Sequence, residues 1–333
     1  MPLKCASFFA GVGGIDLGFK NAGFEVVYAN EIDSKPVITF EKNFKIKVDN
    51  RDIKEVADDL ENNIDNIGKI DVILAGFPCQ AFSVAGLRQG FNDEKGRGNL
   101  FFEVMRIVRK KKPTVIFLEN VKNLLTHDHG NTFHVIEECL VKEGYNITYR
   151  ILNTMEYGNL PQNRERIYIV AFKNQDQLDR FNWIEPIPLT NTLEHIIDFH
   201  SKLDDKYYYT ADKFKRYSEI KDYINKYYTV YQWRRIYVRE NKSGVCPTLT
   251  ANMGTGGHNV PLIYTDYGIR KLTPRECFKL QGFPDTYILP ENMALSHLYK
   301  QAGNSVSVSV IERIANNIFL QFLYPSSLQL MVY

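Results

Sequence analysis

The chain has 333 residues, 44% of them hydrophobic and 24% charged, with a formal net charge of +2. That is enough apolar sequence for a full core and a second, smaller domain. No apolar run approaches the about 18 residues that span a membrane. Met1-Pro2-Leu3-Lys4-Cys5 enters strand-like sequence without a charged leader, so the expected compartment is the cytoplasm, with no membrane partner. Cys5, Cys79, Cys139, Cys246 and Cys277 form an odd set with no Cys-x-x-Cys spacing, which argues against a disulfide framework and against a zinc site.

Leu3 to Phe9 reads as a strand, Ala10-Gly11-Val12-Gly13-Gly14 as a turn, and Ile15 to Phe19 as the start of a helix. Glycines at such a place let the backbone approach a nucleoside cofactor closely. The strand Glu25 to Asn30 ends at Glu31, 20 residues after Gly11, where an acid meets ribose hydroxyls. Asp52, in the turn Arg51-Asp52-Ile53, is a plausible acceptor for an adenine amino group. Strands over Asp71 to Ala75, Thr114 to Leu118 and Ile167 to Ala171 alternate with helical stretches such as Leu100 to Lys111 and Thr132 to Glu143. This alternation implies a parallel sheet covered on both faces, with ligands bound beyond the carboxyl ends of the strands.

Directly behind the strand at 71–75 stands Gly76-Phe77-Pro78-Cys79-Gln80. A cysteine at a strand end, beside a proline that restricts the backbone, suits a nucleophile, although a single cysteine is more often a small buried hydrophobe. Gly11, Glu31, Asp52, Cys79 and Glu119 all fall at strand ends, so one crevice collects them. Residues 80–99 hold four glycines and no helical period, and read as a long lid-like loop. From about Asn174 the alternation ceases, with Pro186 and Pro188 marking a boundary.

Residues 206–242 carry ten Lys or Arg against four Asp or Glu, and nine of the 20 tyrosines. The mixture suits phosphate contacts with ring stacking between them, or equally a solvated face above packed tyrosines. Thr248 to Gly257 looks like another binding loop, and Gly303 to Asn317 returns to helical periodicity.

Six blocks in order now carry a resemblance: Phe8-Phe9-Ala10-Gly11-Val12-Gly13-Gly14, the Gly76 to Gln80 block, Gly98-Asn99-Leu100-Phe101, Glu119-Asn120-Val121, Gln162-Asn163-Arg164-Glu165-Arg166 and Gly303-Asn304-Ser305-Val306. The chain resembles the DNA (cytosine-5)-methyltransferases of bacterial restriction-modification systems over nearly its whole length. The resemblance implies an α/β fold of the S-adenosylmethionine-dependent methyltransferase Rossmann-like kind, with a mixed, mostly parallel sheet, plus a smaller target-recognition domain. The large domain is expected over 1–172 and 303–333, and the recognition domain over 173–302.

The resemblance further implies S-adenosyl-L-methionine as methyl donor and S-adenosyl-L-homocysteine as product. Cys79 is expected to attack C6 of a cytosine flipped out of duplex DNA, Glu119 to meet N3, and Arg164 and Arg166 to contact the base. Phe9, Gly11, Gly13, Gly14, Glu31, Ile32, Asp52, Ile53, Pro78, Leu100, Asn304 and Ser305 are expected around the cofactor. Gln80, Ser83, Arg88, Gln232, Arg234, Arg235, Tyr237, Thr248, Thr250 and Asn252 are expected to face DNA, with Gln232 resembling a recognition-loop glutamine that enters the hole left by the cytosine. Where the family commonly has an arginine before a proline, this chain has Cys246-Pro247. A cognate endonuclease encoded nearby and a monomeric state complete the expectation.

Three alternatives compete. A transfer-RNA cytosine methyltransferase shares much of the catalytic set, but the large recognition segment and the Gln232 block favour duplex DNA. A catalytically silent DNA-binding relative would lack one of Cys79, Glu119 and the cofactor turn, and all are present. A nicotinamide-dependent oxidoreductase gives no reason for Pro78-Cys79 or the paired arginines.

Overall fold

A computed structural model describes residues 2–78, 100–234, 236–254 and 259–323. The expected lid at 80–99, and with it Cys79, Gln80, Ser83 and Arg88, lies outside the described residues, as does Arg235. Strand β1 (Lys4–Phe8) runs into the glycine turn and helix α1 (Gly14–Asn21), and β2 (Glu25–Asn30) follows. Helices α2 (Ser34–Asn43) and α3 (Ile53–Glu61) are N-capped by Asp33 and Asp52, each accepting from the backbone N–H two residues on. Then come β3 (Val72–Ala75), α4 (Leu100–Lys111), β4 (Val115–Val121), α5 (Asn131–Lys142) and β5 (Asn146–Asn153). A single turn α6 (Thr154–Tyr157), β6 (Gln162–Asn163), β7 (Glu165–Phe172) and α7 (Gln175–Arg180) close this half.

The main sheet has the order β2-β1-β3-β4-β7-β5. Its first four strands are parallel, while β7 runs antiparallel to both β4 and β5. The sheet is therefore mixed and mostly parallel, as the resemblance implied, and not uniformly parallel as the alternation alone suggested. Residues 154–164 join β5 to its neighbour β7 and are too few for a crossover that would restore the parallel sense. Strand β5 was not legible because it is the sheet edge, with Tyr149 and Ile151 exposed rather than set in an apolar run.

The second half builds an antiparallel sheet of order β12-β11-β8-β9 from β8 (Tyr231–Trp233), β9 (Val238–Glu240), β11 (Pro261–Thr265) and β12 (Gly268–Lys271). Strand β10 (Cys246–Pro247) leaves that unit and pairs with β6. Helices α8 (Pro274–Leu280), α9 (Leu295–Asn304) and α10 (Val308–Leu323) follow; the expected helical return at 303–317 is broken at Ser305–Ser307, where α9 ends and α10 begins.

Alternate residues of each central strand feed opposite cores. Ala6 and Phe8 pack with Ile53 and Val56 of α3, Phe101 and Val104 of α4, and Ile136 and Leu140 of α5. Cys5, Val72 and Leu74 pack with Phe19 of α1 and Ile311, Ile314 and Ile318 of α10. Phe181 and Ile184 belong to the latter cluster, so the chain stays on the main sheet beyond residue 173. Cys277, Phe278, Tyr299 and Ala302 of α8 and α9 share a core with Ala10, Val12, Phe40 and Phe44, so these helices are bound to the glycine turn. A separate small core, Ile220, Ile224, Tyr231, Leu262 and Ile269, underlies the second sheet.

Candidate active site

Beyond the carboxyl ends of β1 to β4 lies a cavity of about 500 Å³. The sheet order makes it: β1 and β3 are neighbours, and the chain departs in opposite directions from them, to β2 on one side and β4 on the other, which opens a crevice between their loops. Phe9, at the end of β1, has a left-handed backbone (φ 55°), a conformation a non-glycine residue holds only when its surroundings enforce it. Gly11 follows with φ 55°. Its N–H donates to Glu31 Oε2 at 2.9 Å, and Asp33 N–H donates to Oε1 at 2.8 Å. Each carboxylate oxygen thus takes one backbone donor and keeps a lone pair toward the cavity. Burial raises the Glu31 pKa, against the pull of these two hydrogen bonds.

Ile32 is 63% exposed and lines the cavity beside Asp52 and Ile53, a level of exposure that suits a face covered by a flat ligand. Pro78, Leu100, Asn304 and Ser305 also line it. Ser305 Oγ is buried without a hydrogen-bond partner. A Cβ on Gly14 would come to 2.6 Å from that oxygen, so glycine is required for the close approach. Gly13, by contrast, does not line the cavity: a Cβ there would strike the stacked rings of Phe40 and Phe44, and its role is to seat the turn on α2.

Glu119, Arg164 and Arg166 line the same cavity. β4 and β7 bring them together, because Glu119 pairs with Tyr168 and Val121 with Arg166 across that antiparallel ladder. Glu119 is 8% exposed, Arg166 Nε lies 3.2 Å from its Oε1, and that oxygen accepts no aligned hydrogen bond. Burial raises the Glu119 pKa, while Arg166 and Arg164 lower it. The outcome is a carboxyl group biased toward its protonated form yet facing a cation, suited to give a proton to an arriving base.

Arg164 lines the cavity with its Nε buried and without a hydrogen-bond partner, and its terminal nitrogens are anchored to backbone. It is 2% exposed, its Nη1 donates to Leu249 O at 3.0 Å, and its Nη2 donates to Gly303 O at 3.4 Å and to Ser305 O. Burial, then the neighbouring Arg166, pull its pKa down to about 9. These bonds commit its two terminal nitrogens to backbone carbonyls, so it ties β7 to the cavity wall. Asn120 was missed by residue-by-residue reasoning, although it sits in the Glu119-Asn120-Val121 block. Its Nδ2 donates to Phe77 O at 2.8 Å and so holds the segment that ends at Pro78. Lys300 and Gln301 also line the cavity; Lys300 pairs with Asp33 and Gln301 accepts from Thr39 Oγ1, contacts 267 and 262 residues apart that no local pattern reveals.

The residues expected to face DNA are less uniform. Gln232 is 6% exposed on β8, with Nε2 at 3.5 Å from Asn259 O, rather than displayed on a loop. The exposed end of the β8–β9 hairpin carries Ile236, 87% exposed, and Tyr237, 54% exposed. Arg234 donates to Asn259 Oδ1 at 2.9 Å. Thr248 Oγ1 donates to Asn163 O at 2.7 Å, and Thr250 Oγ1 donates to Asn252 Oδ1 at 2.8 Å. The expected loop at 248–257 holds a 3₁₀ turn, Ala251–Gly254; residues 255–258 lie outside the described residues. No group of three or more His, Cys, Asp or Glu able to hold a metal occurs, and no helix is long and apolar enough to cross a membrane, among the described residues.

Comparison with known proteins matches this arrangement. Residues 3–320 match the family model for C-5 cytosine-specific DNA methylase. The type II methyltransferase M.Bsp6I of Bacillus sp. (strain RFL6) is 58% identical over 323 residues, covering 96% of this chain and 100% of the relative. The type II methyltransferase M.HhaI of Haemophilus parahaemolyticus is 37% identical, covering 95% and 94%. The solved structure of Spodoptera frugiperda DNMT2 shares the fold with a TM-score of 0.72 at 21% identity, covering 95% of this chain and 99% of that one. With the family model matched along nearly its whole length, the chain belongs to the C-5 cytosine-specific DNA methylases and is a DNA (cytosine-5)-methyltransferase.

Proposed function

We propose that this protein is a type II modification enzyme that transfers the methyl group of S-adenosylmethionine to C5 of a cytosine flipped out of duplex DNA, within a short specific sequence. The observation that carries this reading is one cavity whose two walls differ in chemistry. One wall is the Phe9, Glu31, Ile32, Asp52 and Ser305 side, and the other is the Glu119 and Arg166 side. The first fits the methyl donor: Phe9 and Ile32 offer apolar faces to the adenine, Glu31 lone pairs to the ribose hydroxyls, and Asp52 with Ile53 an edge for the adenine amino group. The unpartnered Ser305 Oγ points to a polar ligand there. When bound, S-adenosylmethionine supplies an electrophilic methyl group.

The chain's own residues make C5 reactive toward it. The Cys79 thiolate, next to the described Pro78, forms a bond to C6 of the cytosine, and the displaced π electrons make C5 nucleophilic. Glu119 donates its proton to N3 as negative charge arrives there. Arg166 faces the same ring edge, while Arg164 positions β7 through its three carbonyls. After C5 gains the methyl group its proton passes to water, Cys79 leaves with the electrons of its bond to C6, and N3 returns its proton to Glu119. A flipped base is required because C6 of a stacked cytosine is closed to the thiol.

The recognition unit is the β12-β11-β8-β9 sheet with its small core and the basic, tyrosine-rich segment at 206–242. Gln232 there is the candidate for the space left by the cytosine. The proposed setting is a cytoplasmic monomer acting at the nucleoid, with a cognate endonuclease as its genetic but not physical partner. Incubation with labelled S-adenosylmethionine and duplex DNA should place label on cytosine C5; transfer only to RNA, or to adenine, refutes the reading. A duplex bearing 5-fluorocytosine should trap a covalent complex, and an adduct that persists in Cys79→Ala overturns the nucleophile. Gln232→Gly should weaken retention of the flipped state more than cofactor binding.

A further inference from the structure

The β8–β9 hairpin and the catalytic cavity are linked by an unbroken series of contacts. Arg234 Nη1 donates to Asn259 Oδ1 at 2.9 Å, and Asn259 Nδ2 donates to Asn252 Oδ1 at 3.2 Å. The same Asn252 oxygen accepts from Thr250 Oγ1 at 2.8 Å. Asn252 stands on the 3₁₀ turn Ala251–Gly254, and two glycines clamp that turn to α9. A Cβ on Gly303 would lie 2.2 Å from the Thr250 carbonyl carbon, and one on Gly254 would lie 2.6 Å from Tyr299 Cβ. Arg164 holds the same junction from the cavity side, bonded to Leu249 O, Gly303 O and Ser305 O. At these approach distances no slack exists between the turn and the cavity wall.

We infer that Asn259 and Asn252 are positioning residues that couple the recognition hairpin to the catalytic cavity, so that the fit of the hairpin to its DNA sets the placement of the Arg164-bound wall. The inference rests on the reading of the chain as a DNA methyltransferase and adds two residues to it. Asn259 is chemically suited to the link because its amide presents an acceptor to the Arg234 guanidinium and a donor to Asn252. A carboxylate at 259 keeps the first contact and turns the second into two facing acceptors. Gln232 Nε2, directed at Asn259 O, and the pairing of Gln232 with Pro261 fix the segment carrying Asn259 to the hairpin base. Arg234 and Asn252, expected from the resemblance to touch DNA, thereby gain an internal role.

The test begins by sequencing plasmid DNA methylated by the full-length protein, which maps its recognition sequence. Methylation kcat and KM are then measured on a duplex with that sequence and on one with a single base pair of it changed. Asn259→Asp should lower the ratio of kcat/KM between the two duplexes about tenfold, a size usual for coupling between sites. Binding of S-adenosylhomocysteine should stay unchanged. An unchanged ratio in Asn259→Asp, or an equal loss on both duplexes, overturns the inference. If Asn259→Asp does not fold, Thr250→Val, which removes the inner donor, must lower the ratio, and a wild-type ratio there overturns it. A wild-type protein that methylates no duplex DNA overturns the functional reading instead.

Discussion

Asp16 gives a quantitative test of how burial acts behind the cofactor turn. Its side chain is 0% exposed on α1; Oδ2 accepts from Ser7 Oγ at 3.1 Å, and Oδ1 has no partner. Burial lifts its pKa from 3.8 to about 7, opposed by the Ser7 hydrogen bond. Between those values the unfolded chain is ionised while the folded protein holds the proton, so folding stability falls as pH rises from about 4 to about 7 and levels off above. At about 1.4 kcal/mol per pH unit the gap amounts to about 4 kcal/mol. Asp16→Asn removes the titration and leaves only a pH-independent offset from its amide. Urea unfolding followed by far-UV circular dichroism at pH 4.5, 6 and 8 should therefore show the mutant gaining on the wild type by several kcal/mol across the series. A difference that stays constant from pH 4.5 to 8 would refute the claim that Asp16 is a buried, proton-holding acid.

Glu119→Gln should lower the methylation rate about 10²- to 10⁴-fold, the scale of a lost general acid, while S-adenosylhomocysteine binding by calorimetry stays near wild type. Because burial raises the pKa of this acid, wild-type single-turnover rates should decline as rising pH ionises it, and the residual rate of the mutant should lack that decline. Glu31→Gln sets an NH₂ against one of the Gly11 and Asp33 N–H donors, and should weaken S-adenosylhomocysteine binding by about 10- to 100-fold, the scale of a charged hydrogen bond. Gly303→Ala drives a methyl group into the Thr250 backbone and should reduce methylation of DNA by more than tenfold by displacing the 3₁₀ turn; an active, equally stable Gly303→Ala protein contradicts the clamp.

What could be read from the chain alone depended on the range of the forces involved. Strand β2 and helix α4 have the ends that their local patterns give, because alternation and helical periodicity are local consequences of which face is buried. The meeting of the Gly11 turn and Glu31 at one cavity was legible for the same reason, since both lie within one βαβ unit. Strand β5 escaped because an edge strand buries too little to carry an apolar run. The reversal of β7 escaped because strand direction is decided by the connection and not by the strand.

Packing that crosses residues 173 and 303 was not legible either. Phe181 and Ile184 stay on the main sheet, and α8 and α9 share the core of Ala10 and Phe40. The sequence by itself nominated the side chains of the proposed chemistry, Cys79, Glu119, Arg166 and Glu31, because their residue types and motifs are local properties. The tertiary structure decided what each polar group is free to do. Burial gives Glu119 its bias toward the protonated form, three distant carbonyls anchor Arg164, and Asn259 gains a partner on each side. Desolvation and long-range hydrogen bonds arise only when residues far apart in the chain exclude water together.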